Sequence, residues 1–175
     1  MSQIIKAVNE PILSFAAGSP ERASLQAKYD EMATQTIEIP LIIGGKEIKT
    51  GDTGNCVMPH DHQHILATYH NAGEVEANQA IDAAMEAWKT WSKTSLEERT
   101  AIFRKAAKLL QGPWRDTINA ATMLNQSKNA FQAEIDAACE LIDFFNFNAQ
   151  YAEEIYANQP LISPEGMHNH LEYRP

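Results

Sequence analysis

Gln132-Ala-Glu-Ile-Asp-Ala-Ala-Cys-Glu-Leu-Ile-Asp-Phe-Phe-Asn-Phe-Asn148 carries the strongest structural signal in this chain. Apolar residues recur every three or four positions, and the period continues on both sides of the stretch. Phe131, Ile135, Ala138, Ile142, Phe145 and Ala149 fall on one side of a helix expected from about Phe131 to Ala157. Glu140 falls elsewhere. At about 100° per residue it shares a side with Phe144, Phe147 and Tyr151, which sets an acid among aromatics. A carboxylate in apolar surroundings must find a cation or take up a proton. A ligand ammonium held against Glu140 is one explanation; a partly wet helix face, or a Lys or Arg from elsewhere in the chain, is the other.

Upstream, a shorter helix is expected from about Pro113 to Asn125. Before it, Ser95-Leu-Glu-Glu98 is a capping box, in which the Ser hydroxyl takes the N3 amide and Glu98 reaches back. That helix should bury Phe103, Ala106, Ala107 and Leu110 and stop at Gly112-Pro113. From Glu74 the period is again helical, with Ala77, Ile81, Ala84, Trp88 and Trp91 expected inward. Residues 37–72 differ in texture. Ile39-Pro-Leu-Ile-Ile43 and Glu47-Ile-Lys49 flank Gly44-Gly45, and Ile65-Leu-Ala-Thr-Tyr69 is rich in strand formers, so short antiparallel strands are expected. Gly51, Gly54 and Pro59 should break that ladder and confine it to a sheet edge. Residues 1–18 read as an extended arm. Ser19 then caps a helix over residues 20–34, with Pro20 at N1 and Leu25, Tyr29 and Met32 inward. Residues 158–175 read as a loop leading into a strand, with the chain cut before its next element.

The 175 residues can form one domain with its own core, and 44% hydrophobic with 21% charged residues is ordinary for a globular protein. Fourteen Lys and Arg against 23 Asp and Glu give a net charge of −9, which repels phosphate backbones and anionic headgroups. Nucleic acid and membrane surfaces are therefore not expected as partners. No run reaches the roughly 18–20 apolar residues of a membrane span, and residues 1–10 lack a secretory h-region, so a cytoplasmic location is expected.

Cys56 and Cys139 are too few and too far apart for a disulfide framework or a C-x-x-C site. Neither has a local base or cation to form thiolate, so both read as buried or incidental thiols. His60-Asp-His62-Gln-His64 alternates imidazoles as a strand would, and His168 and His170 repeat the spacing. Neighbours on one straight strand face lie about 7 Å apart, too far for three to share an ion without a bend. A solvated polar turn is expected instead, and no metal. Gly44-Gly45-Lys46 belongs to neither phosphate-loop pattern and reads as a hairpin turn. Trp88, Trp91, Phe103 and Trp114 occur at helical spacing and are expected in the core.

The order of these segments resembles the N-terminal region of the aldehyde dehydrogenase superfamily, and several stretches resemble its pyrroline-5-carboxylate (L-glutamate γ-semialdehyde) branch. They are Asn9-Glu-Pro-Ile12, Gly18-Ser-Pro-Glu-Arg22, Ile39-Pro-Leu-Ile-Ile-Gly-Gly-Lys46, Met58-Pro-His-Asp-His62, Ser95-Leu-Glu-Glu-Arg99, Phe103-Arg-Lys-Ala-Ala107, the Gln132–Asn148 block and Tyr173-Arg-Pro175. The resemblance implies an α/β enzyme of which this chain is the mostly α-helical N-terminal part, with a small antiparallel β meander and without the nucleotide-binding sheet. The expected pieces are an arm and helix (1–36), peripheral strands (37–72), helices (74–157) and a loop (158–175) leading toward that sheet.

It also implies the reaction: a Cys thiolate attacks the aldehyde of glutamate semialdehyde, NAD accepts hydride, and a Glu-activated water releases glutamate. The catalytic Cys, that Glu and the NAD-binding units follow Tyr-Arg-Pro in the family, so no catalytic or cofactor-binding residue is expected here. One substrate contact is implied, Glu140, facing the α-ammonium group. A homo-oligomer is implied for the full-length enzyme. The alternative is a non-catalytic helical interaction or metal-binding module.

Overall fold

The computed structural model describes residues 4–174. Helix α1 (Pro20–Ala33) starts as the sequence indicates: the Ser19 hydroxyl accepts the Arg22 amide at 3.3 Å and Pro20 needs no hydrogen bond at the first position. It packs on α4 (Arg115–Gln126), where Leu25, Phe15 and Ala120 form a small core flanked by Leu13, Tyr29, Met32 and Met123. Burying Leu25 and Phe15 there stabilises the pair by about 2 kcal/mol each.

Among the described residues five strands form two small sheets. The first hairpin joins β2 (Leu41–Ile43) and β3 (Lys46–Ile48) through Gly44 and Gly45, whose φ values of +57° and +76° are the left-handed pair that a tight two-residue hairpin demands. The second sheet has the order β1 (Ile37–Ile39), β5 (Asp61–His70), β4 (Thr53–Met58).

Two expectations fail here. β1 pairs with β5 in parallel, Ile37 opposite Ala67 and Ile39 opposite Tyr69, so the strands are not all antiparallel. Side-chain alternation reports which face a residue takes, not which way a neighbouring strand runs. Gly54 does not break the ladder either; it lies within β4, and a Cβ there would come 2.5 Å from the Tyr69 ring. A glycine in a strand here marks close approach. The buried His70 closes the sheet end. Its Nδ1 accepts the Thr50 and Gly51 amides at 3.1 and 3.2 Å, and its Nε2 lies 2.9 Å from Glu38.

Helices follow. In α2 (Glu74–Trp91), the Glu76 carboxylate accepts the Gly73 amide at 2.8 Å. In α3 (Leu96–Gln111), the expected capping box is present: Ser95 Oγ accepts the Glu98 amide at 3.2 Å and Glu98 accepts the Ser95 amide at 3.0 Å. Gly112 ends α3 and α4 begins at Arg115. The inward assignments hold only in part. No residue of α2 is buried; Ile81 and Trp88 are 60% and 51% exposed. Trp91, Phe103 and Trp114 are likewise exposed, although Phe103 meets Phe145 with ring centroids 5.8 Å apart. Period identifies an apolar face but does not supply what covers it: α2 meets β2, yet most of its apolar face stays exposed.

The long C-terminal helix is continuous but not uniform. It begins as α5 (Ala130–Ala133), passes through a π turn (Glu134–Cys139) and continues as α6 (Glu140–Ala157). A π turn inserts about one residue and turns everything after it by roughly 100° relative to what precedes. Ala138, Ile142 and Ala149 are buried as expected, but Phe131 is 54% exposed and Ile135 and Phe145 are half-buried. Glu134 and Cys139 take the vacated interior positions. Among the described residues no helix is long and apolar enough to cross a membrane.

Candidate functional site

The arm and the long helix build the site together. Extended residues 5–13 run antiparallel to the helix, and side chains of the helix accept the arm's backbone amides. Ile5 donates to Glu153, Ala7 to Gln150 Oε1 at 2.6 Å, Glu10 to Asp143 Oδ1 at 2.7 Å and Leu13 to Glu134 Oε1 at 2.8 Å. The lengths agree: eight extended residues reach about 26 Å, and nineteen helical residues about 28 Å.

At its lower end the arm meets a buried charge cluster. Arg115 grips the Glu134 carboxylate through two nitrogens, pairs with Glu10 at 2.5 Å and donates to the Pro11 carbonyl at 2.9 Å. Asn119 donates to Glu134 at 2.8 Å. Burial opposes ionisation of Glu134, but Arg115, the Leu13 amide and Asn119 outweigh it and hold the carboxyl below its ordinary value. Burial likewise opposes the Arg115 charge, and its bonds to Glu134 and Glu10 outweigh that and keep it protonated. Cys139 lies 3.6 Å from Glu134; burial first, then that neighbouring carboxylate, pushes its thiol up to about 12. Such a thiol is no nucleophile near neutral pH. Cys139 is buried, as expected, and Cys56 is half-buried.

Glu140 follows the π turn directly. It borders a groove of about 440 Å³ with Asn9, Asp143, Phe144, Phe147, Asn148 and Tyr151, so the sequence projection of Glu140 beside Phe144, Phe147 and Tyr151 holds. The groove contains two carboxylates of different standing. Asp143 is occupied by the arm, taking the Asn9 side-chain amide at 2.7 Å and the Glu10 amide at 2.7 Å. Glu140 is exposed, and among the described residues no hydrogen bond or ion pair engages its carboxylate. On its other side Lys128 is committed to Asp136 at 2.6 Å. The groove therefore offers one free anionic acceptor beside aromatic walls, which suits a small cationic group.

The histidines do not converge. His60 sits in the turn before β5 with Nδ1 2.8 Å from Ser127 Oγ, His62 and His64 follow on the strand, and the His168 and His170 rings stack at 5.6 Å. Among the described residues no group of three His, Cys, Asp or Glu side chains is placed to hold a metal ion. Sequence reasoning missed Arg115, Glu134, Asp143 and the buried His70. Glu134 carried one usable signal, an acid three positions after the Phe131 that should have been inward, but only the π turn explains its burial.

Residues 47–175 match the model of the aldehyde dehydrogenase family. The chain is 48% identical over 168 residues to the Delta-1-pyrroline-5-carboxylate dehydrogenase of Agaricus bisporus, covering 95% of this chain and 31% of that protein. It is 45% identical over 170 residues to the mitochondrial Delta-1-pyrroline-5-carboxylate dehydrogenase of Rattus norvegicus, covering 97% of this chain and 30% of that one. The structure of the Delta-pyrroline-5-carboxylate dehydrogenase from Mycobacterium tuberculosis bound with NAD superposes with a TM-score of 0.96 at 44% identity, over 100% of this chain and 33% of that one. The chain spans about a third of the length of each.

Proposed function

Because the chain belongs to the aldehyde dehydrogenase family, we propose that it forms the amino-acid-recognising part of an NAD-dependent L-glutamate γ-semialdehyde dehydrogenase, which oxidises the aldehyde to L-glutamate in proline degradation. The observation that carries this reading is the free Glu140 carboxylate in a groove walled by Phe144, Phe147 and Tyr151. Glu140 accepts the α-ammonium group of the substrate. Asp143 is tied to the arm through Asn9 and Glu10, which leaves Glu140 as the groove carboxylate without a partner among the described residues. The aromatic walls face the methylene chain.

The described residues do not fit a dinucleotide. Their strands form a three-stranded and a two-stranded sheet, and none leads through a glycine-rich turn into a helix that could receive a pyrophosphate. We therefore assign NAD, the nucleotide-binding sheet, the nucleophilic Cys and the water-activating Glu to the portion of the relatives' length that this chain does not span. The exposed apolar residues Ile81 and Met85 of α2 suit a surface on which that portion packs.

The test uses the native gene product carrying this segment. A charge-assisted hydrogen bond is worth about 1.5–3 kcal/mol, so Glu140→Gln should lower kcat/KM for glutamate semialdehyde by about ten- to hundredfold. Activity on a simple aliphatic aldehyde should hardly change. Equal loss on both aldehydes, or on neither, would remove Glu140 from substrate recognition.

A further inference from the structure

We infer that Glu134 and the N-terminal arm are positioning elements for Glu140: the arm bridges the π turn and fixes the rotational phase at which Glu140 enters the groove. This rests on the substrate reading of Glu140 given above.

The arm holds the helix on both sides of the π turn. Before Glu140 it holds Glu134, through the Leu13 amide and through Arg115, which also binds Glu10 and Pro11. After Glu140 it holds Asp143, Gln150 and Glu153. In an uninterrupted α-helix Glu134 and Asp143, nine residues apart, would point to opposite sides, roughly 180° apart. No single extended strand could then reach both. The inserted residue of the π turn reduces that angle to roughly 80°, and it brings Glu134 roughly into line with Ile142. Both side chains are in fact fully buried.

Glu140 lies inside this clamp, at the first residue after the π turn. Its direction relative to α4 and the arm follows from the phase between the two held ends. If the turn rewound to α, Glu140 and the Phe144, Phe147 and Tyr151 wall would swing together by roughly 100° relative to the Arg115 cluster. The fully buried Glu134 opposes that rewinding, since its carboxylate would lose Arg115, Asn119 and Leu13 at once. Glu134 is not among the residues that border the groove, and its role is indirect.

The experiment compares Glu134→Gln, which keeps shape and removes charge, with wild type in the native gene product. Three quantities are read: kcat and KM for glutamate semialdehyde, the same for a simple aliphatic aldehyde, and amide hydrogen exchange of residues 134–140. The expected result is a rise in KM for glutamate semialdehyde of about tenfold or more, since small misplacements of a binding group are costly. The aliphatic aldehyde should be little affected and exchange in the π turn should be faster. In a Glu140→Gln background Glu134→Gln should cause no further loss of discrimination. Equal loss on both aldehydes, or the same loss with Glu140 already removed, would show a general folding role and overturn the proposal. Unchanged exchange over 134–140 would overturn it as well. If Glu140→Gln alone leaves discrimination intact, the substrate reading fails, and the exchange result by itself decides whether Glu134 holds the π turn.

Discussion

Replacing Arg115 by Met removes the one cation that pairs, among the described residues, with the fully buried Glu134 carboxylate. In the native structure Arg115 binds Glu134 through two nitrogens, Glu10 at 2.5 Å and the Pro11 carbonyl at 2.9 Å. The Met side chain fills much of the same volume but leaves Glu134 with Asn119 and the Leu13 amide, two neutral donors at 2.8 Å. Breaking a buried pair from one side costs about 3–5 kcal/mol, a third or more of the stability of many domains. For a protein of this size that lowers Tm by roughly 6–20 °C. Urea denaturation of the native protein at neutral pH would read it as a lower midpoint with an unchanged slope. Adding Glu134→Leu and Glu10→Gln should recover much of the loss, because an apolar cluster of similar volume needs no counter-charge. A loss below about 1 kcal/mol is the signature of an exposed ion pair; that result would refute the argument that this cluster fastens the arm.

Acid should release the same arm. Glu134 and Glu153 have folded-state values below the ordinary 4.5, so their contribution is present in full above that value and disappears as pH falls through the lowered ones. The amide resonances of Ile5 and Leu13 should move together below about pH 4.5, and release near neutral pH would contradict the assignment. Cys139, buried with its thiol pushed up to about 12, should resist iodoacetamide at pH 8 in the folded protein and react once the protein is unfolded in urea. Alkylation of native Cys139 at the rate of a free thiol would show the site to be open.

Local chemistry made several elements legible in advance. Ser19-Pro20 and Ser95-Leu-Glu-Glu98 satisfy their helix starts with atoms two or three residues away, and Gly44-Gly45 supplies two left-handed residues to one hairpin. Those signals need no distant partner. Glu140 and its aromatic neighbours were legible for the same reason, since the helix after the π turn is regular and an i, i+4, i+7, i+11 projection holds along it.

Elsewhere the period was right and the inference drawn from it was not. Ile81, Trp88 and Trp91 form a true apolar stripe on α2, yet burial needs a second surface, and these side chains stay 60%, 51% and 40% exposed. Gly54 looked like a breaker because glycine is a poor strand former; only the Tyr69 ring, fifteen positions away, explains why nothing larger stands there.

The sequence by itself determined where helices and turns begin, the helix face that carries Glu140, and the absence of a local means to activate either cysteine. Tertiary structure alone decided that β1 runs parallel to β5, that Glu134 is interior, that Asp143 is spent on the arm while Glu140 is free, and that one π turn sets the phase between them. The physical reason is the range of the interactions. Capping, turn strain and helical period act over a few residues, whereas Leu13 meets Glu134 across 121 positions and Arg115 meets Glu10 across 105. A buried charge is tolerated only when such distant partners converge on it.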